Sequence, residues 1–320
     1  MIPKKNGVEC TMFKVYSKDY IKIAEKYIKK ARNSNLYMSY MQKMLLHEAM
    51  QKDTEVRNLL KENEDLRNAY SGKRCFVLGN GPSLNEIDFS RLKNEVVFTV
   101  NQLPAHPNFK DLNSNFHIII DLRAFGLRYG EEEDAPGFAK YCMELMKEMS
   151  EQGDPVLIVP YQVKRILERE RVPEKLRTKY IYFSTEKFID GYQHCELTVP
   201  IPDFSCVILV AILCAIYMGF SQIYLMGCDQ TCILDILECG LGNSTKYGHA
   251  QDDDVEGDTL AYRTMIESTS IDRYLYGEYE THEGYKALYS FARKRRIKMY
   301  NLSSTTLIDS IPRRNIEDIL

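Results

Sequence analysis

From residue 73 onward, short apolar runs alternate with longer segments whose apolar positions recur every three or four residues. RCFVLG (74–79), EVVFTVN (95–101), FHIIID (116–121), PVLIVP (155–160), KYIYFS (179–184), QIYLMG (222–227) and IKMYNL (297–302) have the length and the Val, Ile, Phe and Tyr content of strands. Several are apolar at consecutive positions, as strands are when both faces of a sheet are covered. Helical segments fall between them, at 137–150, 162–170, 205–219 and 283–295. The alternation predicts an α/β domain over 72–320, with a doubly wound, Rossmann-like, mostly parallel sheet.

Two regions break that rhythm. DYIKIAEKYIKKA puts Tyr20, Ile23, Ala24, Tyr27 and Ile28 on one helical face, and YMSYMQKMLLHEAM and TEVRNLLKENEDLRNAY continue without proline until Gly72. Residues 1–71 are therefore expected to be a helical N-terminal extension that packs or oligomerises, which makes a homo-oligomer the expected state. Lys22, Lys26, Lys29, Lys30 and Arg32 also give it a basic character suited to a membrane surface or a partner. Residues 230–281 are polar, rich in Gly, Asp and Tyr, and long enough for a lid over a site.

The longest apolar stretch, CVILVAILCAIYMGF (206–220), is shorter than the roughly 20 residues of a membrane span and reads as a buried core helix. MIPKKNGVEC at the start lacks the apolar region of a signal peptide. The expected location is cytoplasmic, with the basic arm offering peripheral contact to the inner face of a membrane. Composition is globular, 44% hydrophobic and 27% charged, and the net charge of −3 argues against a nucleic-acid partner. Nine cysteines without a CxxC pair suggest free thiols in a reducing compartment. No paired His/Cys spacing suggests zinc.

Open α/β sheets bind ligands at the carboxyl ends of their strands. The first strand ends in Gly79-Asn80-Gly81-Pro82-Ser83, the second in Asn101-Gln102, the third at Asp121 and the sixth in Gly227-Cys228-Asp229. Four polar ends on one rim suggest a cleft. The glycines would allow positive φ and close approach of backbone to ligand, and the N–H groups of such a turn suit phosphate. The stretch is neither a GxxxxGK[ST] loop nor a full GxGxxG.

CFVLGNGPSLNEIDFSRLKNEVVFTVNQ resembles the opening of the bacterial sialyltransferases of the Campylobacter and Haemophilus type, glycosyltransferase family 42. DFSCVILVAILCAIYMGFSQIYLMGCDQ and HEGYKALYSFARKRRIKMYNL are similar to that family's later helix–strand segments. The same loop pattern occurs in flagellin-modifying transferases and in a hydroxymethylpterin-pyrophosphokinase-like family. The resemblance covers about 72–125 and 203–303. It implies a GT-A-like variant of the fold and inverting transfer of sialic acid or a related sugar from a CMP-activated donor to a surface glycan acceptor. It also implies that Gly79, Asn80, Gly81 and Ser83 hold the nucleotide side and that Asn101 and Gln102 touch ribose, phosphate or sugar. Ser205 would act through its hydroxyl and a helix N-terminus, and Gly227 and Asp229 would border the cytidine.

The transfer needs a base for the acceptor hydroxyl, and histidine titrates near operating pH. The family places its base shortly before the last helix, which His282 fits, with Thr281 as helix N-cap; His249 in KYGHAQDDD competes. Tyr247 and Tyr262 are candidates to hydrogen-bond the leaving phosphate. Asp252, Asp253 and Asp254 read as a solvated acidic loop, because a metal-binding D-x-D pair normally follows a core strand. No metal or other cofactor is expected, since a CMP-sugar leaves with a single phosphate. Two alternatives stay open: a magnesium- and ATP-dependent pterin-type pyrophosphokinase, and a nucleotide-binding protein without catalysis.

Overall fold

The computed structural model describes residues 54–128, 131–132, 136–174, 176–188, 195–234 and 271–320. Thr54–Leu320 forms one compact unit. Its centre is a seven-stranded parallel sheet of β1 (Arg74–Leu78), β2 (Val96–Val100), β3 (Phe116–Ile118), β6 (Val156–Pro160), β7 (Thr178–Ile181), β10 (Gln222–Met226) and β11 (Lys298–Asn301). The remaining strands form two small sheets. β4 (Leu127–Arg128) pairs with β5 (Glu131–Glu132), and β8 (Phe183–Lys187) with β9 (Ile201–Asp203). The spatial order of the main sheet is β11-β10-β1-β2-β3-β6-β7. The chain steps outward from β1 to β7, then returns to place β10 on the other side of β1. That reversal puts the topological switch point between β1 and β10, where doubly wound sheets bind their ligands.

Alternation along each strand divides the core. Val77, Phe98, Phe116 and Ile118 face helices α4 (Val207–Tyr217) and α5 (Ile271–Lys294). Phe76, Leu78, Val97 and Leu157 face helix α2 (Pro136–Gln152) and the C-terminal residues. Every residue of α4 is buried, as expected of a helix apolar all round. Gly284 lets α5 approach α4, since a Cβ there would stand 2.5 Å from Leu209 Cδ1. No helix among the described residues is long and apolar enough to cross a membrane.

Residues 54–71, grouped above with the N-terminal extension, are built into this unit. Val56 and Leu60 of helix α1 (Thr54–Lys61) are buried. Asn63 Nδ2 donates to the carbonyls of Tyr180 and Leu197, both at 2.8 Å. The N–H groups of Asn68, Tyr70 and Gly72 donate to the carbonyls of Tyr217, Met218 and Gly219. Those carbonyls end α4 and have no partner within the helix. The stretch is thus a C-cap for the core helix.

Three segments differ from the sequence expectation. KYIYFS splits at Tyr182, so that Phe183–Lys187 leaves the main sheet for β9. The third strand stops at Ile118, because the Asp121 carboxylate accepts from Arg123 N (2.9 Å) and starts a 3-10 turn, Leu122–Phe125. The last helix begins at Ile271, so residues 271–281 of the expected lid are helix. The lid's centre and residues 1–53 lie outside the described residues.

Candidate functional site

The loops after β1 and β10 meet at the switch point and bond to each other. Gly79 N donates to Met226 O and Gly81 N to Gly227 O, both at 2.8 Å. A Cβ on Gly79 would lie 2.4 Å from Gly227 O, and one on Gly81 would lie 2.4 Å from Asp229 Cγ. The two glycines therefore admit the neighbouring loop. Gly81 has φ −67°, an ordinary value, so the positive φ expected in this turn does not occur there. Gly227 has it instead, at 60°.

Ser83 is also committed. Its N–H donates to Asp229 Oδ2 at 2.8 Å and its hydroxyl to Asp229 Oδ1. The Ser83 hydroxyl expected to face phosphate is turned to the carboxylate that clamps the two loops. Asp229 is buried, and that burial raises its pKa against the opposing pull of the Ser83 hydrogen bonds. Its carbonyl accepts from Leu307 N (2.8 Å).

The next strand ends differ. Asn80 Oδ1 and Asn101 Oδ1 are buried without a hydrogen-bond partner. Asn101 has φ 49°, a left-handed value that asparagine tolerates better than most residues. His117 on β3 is fully buried; its Nδ1 lies 2.8 Å from Thr99 Oγ1, and the ring also bonds the Asn101 backbone, a smaller effect on its pKa than burial. Burial pushes its pKa down to about 3, so the ring is neutral at neutral pH. An unpaired buried acceptor costs about 1–3 kcal/mol. Two such amide oxygens on adjacent strand ends are the natural partners for a ligand's N–H or O–H groups.

Gln102 turns away, donating to Cys142 Sγ of α2 at 3.6 Å. Asp121 is occupied by Arg123, with Nη2 at 2.7 Å. The structure brings neither to the rim as a free ligand group.

Ser205 precedes the Cys206 N-cap of α4 and lies 2.9 Å, Oγ to Oγ1, from Thr281. Thr281 is no N-cap. It sits inside the continuous α5, its hydroxyl donating back to Gly277 O at 3.0 Å. His282 is likewise mid-helix and half-buried. One turn earlier, Glu278 accepts from Gln230 Nε2 at 3.0 Å, which ties that stretch of α5 to the loop after Asp229. Positions i and i+4 share a helix face, so His282 shares a face with Glu278. His106 is structural: Nδ1 accepts from Asn108 N (3.1 Å), leaving Nε2 to donate to Asn85 Oδ1 (3.0 Å). His249, Tyr247, Tyr262 and Asp252–Asp254 lie outside the described residues. Among the described residues no group of three or more His, Cys, Asp or Glu could hold a metal ion.

The end of β11 escaped the sequence reading. Asn301 Nδ2 donates to Cys228 O (3.3 Å) and Thr306 Oγ1 (3.0 Å), while Cys228 N donates to Ser303 Oγ (2.9 Å). Asn301 and Ser303 form a small polar strand end of the kind that flagged Asn101, so the same rule could have found them.

No protein-family model matches the chain, and no curated protein matches it. Matching solved structures include the sialyltransferase CstII from Campylobacter jejuni in complex with a substrate analogue, cytidine-5'-monophosphate. Identity is 17% over 76% of this chain and 85% of that chain, with a TM-score of 0.41. The sialyltransferase CST-II in complex with trisaccharide acceptor and CMP matches at 18% identity over 75% and 86%, with a TM-score of 0.42. The monofunctional α-2,3-sialyltransferase Cst-I from Campylobacter jejuni matches at 15% over 76% and 80%, with a TM-score of 0.36. Likeness at this level assigns neither an activity nor a ligand to this chain.

Proposed function

We propose that the protein is a glycosyltransferase that moves a sugar, sialic acid or a relative, from a CMP-activated donor to a glycan acceptor. One observation carries the reading. The loop whose sequence resembles the nucleotide loop of family 42 lies at the topological switch point, beside two buried amide oxygens with no protein partner. In this reading Asn80 and Asn101 accept hydrogen bonds from cytidine or its ribose, while Gly79, Gly81, Ser83, Gly227 and Asp229 hold the rim in shape. The acceptor oxygen forms a bond to the anomeric carbon as the bond from that carbon to the phosphate oxygen breaks. CMP departs with the electron pair, and a ring nitrogen of His282 takes the acceptor's proton.

The test is a melting-temperature panel with CMP, UMP, UDP, GDP, and ATP with magnesium, because a ligand that binds only the folded state must stabilise it. CMP is expected to give the largest rise. A rise with ATP and magnesium alone would overturn the reading in favour of a pyrophosphokinase. A positioned base contributes about 10²–10⁴-fold in rate. His282→Ala should therefore lose turnover of a CMP-sugar on that scale while CMP affinity holds. Full turnover in that variant would remove His282 as the base.

A further inference from the structure

We propose a second ligand site, for a phosphate monoester, in the cavity of about 490 Å³ between the turn after β1 and the C-terminal strap. Ser83 and Glu86 line one side, and Ser303, Ser304, Arg313 and Arg314 the other. The arginines carry the inference. Arg67, Arg74 and Arg91 are each spent on a glutamate. Arg313 instead donates from Nη2 to the carbonyls of Ser303 and Ser304. Arg314 lies with its guanidinium carbon 5.0 Å from the centroid of the Tyr300 ring. Neither side chain makes an ion pair among the described residues. The lining thus carries two arginines against one carboxylate, Glu86.

Both arginines are also held in place before any ligand arrives. Arg313 forms a parallel bridge to Asn301. Asn301 N donates to Pro312 O at 2.9 Å, and Arg314 N donates to Asn301 O at 3.1 Å. The strap therefore behaves as a short extra strand on β11, which fixes the backbone that carries both side chains. With Nη2 of Arg313 used on two carbonyls, its Nε–H and Nη1 hydrogens remain as single charge-assisted donors for phosphate oxygens. Leu302 and Ile87 add apolar surface to the lining, which strengthens charge attraction relative to open water.

Neither asparagine proposed to meet the nucleotide lines this cavity, and the site's existence does not depend on the transferase reading. The probe is glycerol 3-phosphate, titrated calorimetrically at constant ionic strength, with glycerol and acetate as controls. The intact chain should bind glycerol 3-phosphate saturably and neither control. Arg314→Gln should weaken binding about tenfold, the scale of one charge-assisted contact, with an unchanged melting temperature. Arg313→Gln should weaken it at least as much; if that variant unfolds the strap, Arg314→Gln decides alone. No binding to the intact chain, equal binding to Arg314→Gln, equal binding of acetate, or loss of binding in Asn80→Ala would each overturn the proposal. CMP is itself a phosphate monoester, so CMP binding that Arg314→Gln weakens and Asn80→Ala leaves unchanged would leave this site standing and remove the CMP-sugar reading.

Discussion

Two halves of one rim, at the carboxyl ends of neighbouring strands, are built in opposite ways. At the β1–β10 gap every notable polar group is spent: Gly79 and Gly81 on backbone hydrogen bonds, Ser83 on both oxygens of Asp229. At the β1 and β2 ends, Asn80 Oδ1 and Asn101 Oδ1 are buried with nothing to bond. Folding free energy explains the first half without a ligand. The second half lowers stability as it stands, and a ligand that supplies the missing partners would recover the loss. In this chain the residues most typical of a binding loop hold the rim, and the asparagine oxygens are the ones left without a partner.

The largest effect that separates the halves is expected at Gly79. Gly79→Ala drives a methyl group to 2.4 Å from a backbone oxygen, Gly227 O, which no side-chain motion relieves. Overpacking of this kind costs about 3 kcal/mol or more, read as a fall in the urea midpoint. An unchanged midpoint would mean the loops are not clamped as described. Next in size is Asp229→Ala, which strands the N–H and O–H of Ser83 and should cost about 2–3 kcal/mol. Ser83→Ala removes one hydrogen bond to a charged group and should cost about 1.5 kcal/mol, with CMP affinity nearly intact. A large loss of CMP affinity there, with stability kept, would return Ser83 to the ligand and erase the contrast.

His117 gives a signature of another kind, read against pH. Its folded pKa of about 3 lies below the ordinary 6.5, so between those values the unfolded chain binds the extra proton. Its contribution to stability is complete above pH 6.5 and is lost as pH falls toward 3, with a slope approaching about 1.4 kcal/mol per pH unit. His117→Asn should flatten that acid limb. Taking the difference between the two proteins cancels the opposite trend from Asp229, whose raised pKa makes stability fall as pH rises. Equal slopes in both proteins would show that His117 is not held neutral.

The smallest effect on stability, and the most telling for binding, is expected at the asparagines. Asn80→Ala and Asn101→Gly remove unpartnered oxygens, the glycine tolerating φ 49°. Stability should rise by about 1 kcal/mol as the unpaired acceptor is removed, while CMP affinity drops about tenfold, the scale of one good hydrogen bond. Loss of stability without loss of affinity would reverse the assignment of the two halves.

The sequence by itself determined the elements, because apolar periodicity is local. The strands around Phe76, Phe98, Ile158 and Tyr224 and the all-apolar helix at Val207–Tyr217 were legible, and their alternation was enough for a parallel, doubly wound sheet. It also located the rim, since small polar residues at strand ends stand out against apolar runs. It could not say which rim residues are free. That Ser83 would meet Asp229, 146 positions away, or that Gly79 would face Gly227, depends on which strand is laid beside β1. Strand order is set by long-range packing, which no local pattern encodes. The same holds for Thr281, whose sequence suits a helix cap but which lies mid-helix against Ser205. Burial in the α4–α5 contact outweighs the local preference there, as tertiary packing commonly overrides propensity.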